Sequence, residues 1–190
     1  GRAKPAECML LSESGQYQVL PSNGDLTAAE VEMLNLEHKE YRLDKALKKL
    51  EPQFDYILID CPPSLNMLTL NGLTACDGVI VPMQCEYYAL EGLSALISTI
   101  EQVRAVLNPS LQIEGILRTM YDPRSSLTKD VSDQLNEYFG DKVYRTCIPR
   151  NVRLAEAPSY GLPALAYDKQ SKGALAYLAL AGEFIRRNEA

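Results

Sequence analysis

The chain of 190 residues holds no apolar run approaching the ~18 residues of a membrane span, so it reads as a soluble, cytoplasmic protein without stable membrane association. It lacks an excess of positive charge: 19 Lys and Arg stand against 25 Asp and Glu, for a net charge of −6. A coat of nucleic-acid-binding charge is thereby excluded, though a local basic patch is not. Histidine is nearly absent. The one copy, His38, lies among Glu37, Lys39 and Glu40 and reads as a surface residue. Five cysteines (Cys8, Cys61, Cys76, Cys85, Cys147) form an odd set with no C-x-x-C pair. That set fits reduced, mostly buried thiols rather than a disulfide framework or a zinc site. Repeats, low-complexity tracts and an internal linker are also missing, which leaves residues 1–190 as one expected domain.

What the chain does contain is a hydrophobic fraction of 46% arranged in alternating short and long patterns. Residues 54–64, FDYILIDCPPS, open on a continuous apolar run that stops at Asp60. Such a run predicts a strand buried on both faces, ended by Pro62 and Pro63. Residues 17–20, 78–83, 111–120 and 143–148 predict further strands. Helices are expected from Thr27 and Glu30 at capping-box spacing, with Val31, Leu34 and Leu36 inward. Further helices are expected over 41–50 with Leu43, Leu47 and Leu50 inward, after Ser64 or Asn66, over 90–107, over 127–139 closed by Gly140, and over 173–187. The alternation predicts an α/β fold: a doubly wound, mainly parallel sheet flanked by helices. Ligands of such sheets sit beyond the carboxyl ends of the strands, which points to the loops after Asp60, Met83, Met120 and Ile148. An aspartate at the first of these is the residue type with which P-loop NTPases hold Mg²⁺. Lys142, Arg145, Arg150 and Arg153 form the one dense basic stretch.

The blocks FDYILIDCPPS, GVIVPMQCEYYALEGL (78–93), LRTMYDPR (117–124) and IPRNVRLAEAPSYGLPALAYD (148–168), with LPSNGDLTAAEVEML (20–34), resemble the ParA/Soj partition ATPases. The resemblance runs across nearly the whole chain. It implies a deviant-Walker ATPase that binds ATP and Mg²⁺, forms a nucleotide-dependent homodimer and binds DNA without sequence preference. It also implies release by a ParB-type partner and nucleoid association in the DNA-bound state. On this resemblance Asp60 is the Walker B carboxylate, holding Mg²⁺ largely through water. Thr119, Met120, Pro149 and Arg150 fall near the adenine pocket. Arg124 and Arg153 match positions used for DNA, and Lys169 and Lys172 extend that patch. A MinD-like membrane-cycling ATPase and a truncated, non-enzymatic regulatory homologue are the alternatives. The mixed ending 184–190 supplies no basic amphipathic helix for the first of these.

One family feature is missing. No glycine of the chain begins a Gly-x4-Gly-Lys run, and the acidic segment that should follow it does not occur either. The opening Gly1-Arg2-Ala3-Lys4-Pro5 resembles the middle of a family member, so the sequence reads as a fragment. Phosphate affinity resides mostly in the backbone amides, lysine and hydroxyl of that loop. The 190 residues are therefore expected neither to bind ATP tightly nor to hydrolyse it, with no catalytic residue assigned. The edge of the 54–60 strand is expected to pair with another chain or to leave a gap.

Overall fold

The computed structural model describes residues 3–62 and 64–189; Pro63, invoked above as a strand terminator, lies outside them. Two compact units are present, one made of 1–79 with 97–112 and the other of 80–96 with 113–190.

The first unit begins with a short helix α1 (Pro5–Cys8) and an antiparallel pair, β1 (Leu10–Ser12) and β2 (Tyr17–Val19). Helix α2 (Asp25–Met33) starts two residues before the predicted cap at Thr27, from Gly24, without a side-chain cap. Glu30, expected to close a capping box, reaches away instead: its carboxylate accepts from the amide of Met67 at 3.0 Å and from Asn66 Nδ2 at 3.5 Å. Val31, Leu34 and Leu36 are exposed rather than inward. Helix α3 (Arg42–Leu47) and helix α4 (Met67–Ala75) pack on each other. Asn71, buried on α4, accepts from the Leu43 amide and donates to the carbonyls of Lys39 and Met67, so its whole amide is satisfied. Asn66 caps α4 by accepting from the Thr69 amide at 3.0 Å. Asn108 donates to the Leu73 and Cys76 carbonyls and so closes the helix's other end. Ile100, Val103 and Leu111 complete the buried apolar set with Leu47, Leu50 and Leu73.

The expected strand at 54–60 is corrected by the structure: no residue of this run is in a strand. Ile59 and Cys61 lean on α4, where a Cβ at Gly72 would stand 2.7 Å from Cys61 Sγ. Leu58 is 83% exposed. Apolar content marks what a segment can bury, but a strand exists only where a neighbour accepts its ladder.

The second unit carries the parallel sheet, in the order β3 (Gly78–Gln84), β4 (Gln112–Tyr121), β5 (Val143–Pro149). Helix α5 (Ala89–Val106) follows β3, and its first half belongs to this unit. Helix α6 (Ser126–Phe139) joins β4 to β5; it is capped by Ser125, which accepts from the Thr128 amide, and ends at Gly140 with φ +51°. Short helices α7 (Val152–Glu156) and α8 (Ala164–Tyr167) lead to the long terminal helix α9 (Lys172–Asn188). Four consecutive β4 residues, Gly115 to Arg118, are buried, so both faces of the strand are covered. Leu117 packs with Tyr144 and Ile148 against Leu180 and Phe184 of α9. Arg118, pointing to the opposite face, donates to Ser132 Oγ of α6 at 2.6 Å. Helices on both faces of a parallel sheet make the doubly wound arrangement that the alternation predicts.

Between Ile116↔Val143 and Arg118↔Cys147, β4 advances two residues while β5 advances four. This bulge is clamped from both sides. Arg118 Nη2 donates to the carbonyls of Tyr144 (2.7 Å) and Arg145 (3.3 Å). On the other side the Glu183 carboxylate of α9 accepts from the amides of Arg145 (2.8 Å) and Thr146 (2.9 Å). Arg187 pairs with Glu183 at 2.8 Å, donates to the Val143 carbonyl and lies 4.2 Å from the centre of the Tyr144 ring.

Candidate functional site

In the second unit, the carboxyl ends of β3, β4 and β5 border an open cavity of ≈ 1010 Å³. Its floor and walls come from Val81, Met83 and Leu93, which are apolar and buried. Polar groups enter from the loop after β4, as Asp122 and Ser125, and from the end of β5, as Arg150. Tyr87 and Tyr88 stand on the rim, three-quarters exposed and edge-to-face at 5.1 Å. The cavity thus combines an apolar floor with a few polar groups at its edge, the usual make-up of a small-molecule site.

Of the four residues expected around the adenine pocket, Met120 and Arg150 line this cavity. Met120 takes φ +51°, a left-handed backbone that costs a non-glycine residue about 1 kcal/mol, and it is 43% exposed. Thr119 and Pro149 are half-buried one residue further back and do not line it. The end of β5 is held to β4 at this point, Pro149 pairing with Tyr121 and the Arg150 amide donating to the Tyr121 carbonyl.

The candidate cations gather on the same loops. Arg124 is held in a fork by Asp122, with Nε and Nη2 each 2.9 Å from a carboxylate oxygen, while its amide donates to Asp122 Oδ1. Those hydrogen bonds, with Arg150 adding a further positive charge, hold the Asp122 carboxyl at about 2. Arg153, on α7, meets Glu156 Oε2 at 2.8 Å and Asp168 Oδ2 at 3.5 Å. Tyr167 donates to the same Glu156 oxygen, and Tyr160 stacks on Tyr167 at 4.9 Å. Lys169, beside Asp168, and Lys172, at the start of α9, are exposed.

Asp60 stands in the first unit, exposed, next to Cys61, whose thiol is pushed up by burial and by the Asp60 charge. Among the described residues no group of three His, Cys, Asp or Glu side chains comes together to hold a metal ion. With one carboxylate and no Gly-x4-Gly-Lys loop, the donor set around Asp60 does not by itself fit a magnesium-bound triphosphate. All five cysteines are free, but only Cys85 is buried, against the expectation of mostly buried thiols.

Sequence reasoning missed Arg118, Glu183 and the three carboxylates that partner the arginines. An arginine inside the apolar run of β4 and a glutamate within the alanine- and leucine-rich α9 were the available signals, since a charge inside an apolar pattern is either exposed or partnered. The pairing of Arg153 with Asp168, fifteen residues on, left no such mark.

Comparison with known proteins places the chain. Residues 2–113 match a family model described as an AAA domain. The chain is 48% identical over 189 residues to the chromosome partitioning protein ParA of Caulobacter vibrioides, covering 98% of this chain and 71% of that protein. It is 53% identical over 165 residues to the sporulation initiation inhibitor protein Soj of Bacillus subtilis, covering 87% of this chain and 65% of that protein. Its structure resembles that of a cobyrinic acid a,c-diamide synthase from Mycobacterium smegmatis with bound ATP analogue and magnesium. That likeness has a TM-score of 0.85 and 37% identity, and it covers 99% of this chain and 70% of the other. At that level of identity across nearly every residue, the chain belongs to the ParA/Soj family of partitioning ATPases, within the MinD/ParA superfamily.

Proposed function

We propose that the chain serves DNA segregation, its second unit receiving the base of an adenine nucleotide and offering a cationic surface to duplex DNA. The reading extends to a nucleotide-dependent homodimer and a ParB-type partner as properties of the whole protein, and to Asp60 as a water-mediated Mg²⁺ carboxylate there. The observation that carries it is the cavity at the ends of β3, β4 and β5, with Met120 and Arg150 on its wall. Arginines on the adjoining loops would meet phosphates, giving affinity without sequence preference. A membrane-cycling role draws no support from α9. Arg187 is turned inward onto Glu183 and the Val143 carbonyl, so Arg186 is the exposed cation of the last turn. No helix among the described residues is long and apolar enough to cross a membrane.

Binding of a fluorescent adenosine derivative tests the cavity assignment. Met120→Glu places a carboxylate where the ring face would lie, in a residue already 43% exposed, so the fold tolerates it. Affinity should fall at least about tenfold, the loss expected for a charge buried against an apolar ligand face. Unchanged affinity in the folded variant would remove the cavity as the base site.

A further inference from the structure

The two arginines that the DNA reading relies on are not presented bare. Arg124 carries a bidentate carboxylate, Asp122, two residues away. Arg153 carries two, Glu156 and Asp168, so this cluster by itself is net negative. They leave adjacent parallel strands at the same end: Tyr121 pairs with Pro149, Arg124 follows the first by three residues and Arg153 the second by four. Lys169 follows Asp168 directly in the chain and is exposed. Arg124 and Arg153, on the segments beyond these two strands, thus stand with Asp122, Glu156 and Asp168, and each of these carboxylates touches one of the two arginines.

We propose that Asp122, Glu156 and Asp168 set the DNA affinity of this surface by occupying Arg124 and Arg153, which must exchange a carboxylate for a backbone phosphate to bind. This inference rests on duplex DNA being the partner. The exchange is feasible because the pairs are exposed, with arginine side chains 88% and 53% accessible. Exposed pairs of this kind are worth little and are screened by salt. It is not free, because each carboxylate stays within a few ångströms of the incoming phosphate and repels it. The surface is therefore built for weak, salt-sensitive and reversible attachment, and the three carboxylates are the residues that tune it.

The test uses isosteric amides, which keep the local hydrogen bonds. Asp168 accepts from the Gln170 amide, Glu156 from Tyr167, and Asp122 from the Arg124 amide, and each acceptor oxygen survives in Asn or Gln. Fluorescence anisotropy with a 30-base-pair duplex is followed from 50 to 200 mM salt, for the 190-residue chain and its Asp122→Asn/Glu156→Gln/Asp168→Asn variant. Each lost charge should tighten binding about threefold, so the triple variant binds on the order of tenfold or more tightly. Its salt dependence should steepen by one to two units as both arginines reach phosphate. In an Arg124→Ala/Arg153→Ala background the same amides should change affinity little. Equal or weaker binding by the folded triple variant overturns the proposal. So does tightening that persists without the arginines, since bulk charge would then explain it. If removal of the arginines weakens binding while the amides do nothing, the masking idea falls and the DNA reading stands. If neither the parent nor the triple variant binds at 50 mM salt, both fall.

Discussion

Glu183 shows how much a single buried charge decides in this fold. Burial alone would raise its pKa, but the amides of Arg145 and Thr146 and the Arg187 guanidinium outweigh that and hold the carboxyl at about 2. Its folded pKa lies below the ordinary 4.5, so the stabilisation is complete above about 4.5 and drains away as pH falls toward 2. By linkage the charge is worth on the order of 3 kcal/mol at pH 7. Glu183→Gln should lose about that much in urea unfolding at pH 7, and the gap to the parent should shrink to about 1 kcal/mol or less by pH 2.5. A gap that stays constant across that range would mean that shape, not charge, holds the bulge. Arg118 works from the other face with carbonyl and hydroxyl partners, and its buried Nε has none. Two charged residues on opposite faces thus fix one irregular stretch of β5, and that stretch leads directly to Pro149 and Arg150.

Elements are held at their spacing by what the side chains leave out as much as by what they fill. A Cβ at Gly115 of β4 would meet the Tyr144 ring at 2.5 Å and the Lys142 carbonyl at 2.9 Å, and neither can retreat without moving β5. Gly115→Ala should cost about 2 kcal/mol or more, the usual penalty for overpacking against backbone. Gly182 on α9 is the contrast: its nearest neighbour is the flexible end of Arg186 at 3.3 Å. Gly182→Ala should be neutral or stabilising by up to about 1 kcal/mol through helix propensity. Thermal unfolding of both variants checks the pair, and equal effects would refute the close approach at β4 and β5. The strands and helices of this second unit were legible because their partners lie within the same stretch of chain. Val143–Pro149, the helix over 127–139 closed by Gly140 and the terminal helix stand within a residue or two of where periodicity and caps put them. Residues 54–60 were not, although their apolar signal is the strongest of all, because pairing depends on a neighbour that local pattern cannot report. The inward stripe drawn for Val31, Leu34 and Leu36 failed for the same reason. On the site, strand-end logic pointed to the loops after Met120 and Ile148, and the family resemblance singled out Met120, Arg150, Arg124 and Arg153 on or beside them. It could not find their carboxylates, since ion pairs across a loop carry no periodicity.

At the scale of the whole chain, the sharpest contrast is between what the proposed base site of the second unit offers and what the 190 residues offer to phosphates. Apolar walls and a handful of polar edges discriminate a ring, and they act whether or not phosphates are attached to it. Phosphate affinity needs aligned backbone amides, a lysine and a metal held by oxygen ligands, and this chain has no Gly-x4-Gly-Lys run to supply them. Among the described residues no metal-holding cluster compensates. With Arg150 on the cavity wall against Asp122 and Glu86, the wall carries more negative than positive charge and gives a triphosphate nothing to gain. The 190-residue chain should therefore bind adenosine and ATP with affinities within about threefold of each other, and Mg²⁺ should change neither. Isothermal titration with the two ligands, with and without Mg²⁺, measures this directly. ATP·Mg²⁺ binding about a hundredfold tighter than adenosine would mean that Asp60 and the surrounding residues form a working phosphate site. The division of labour between base recognition and phosphate capture would then have to be abandoned.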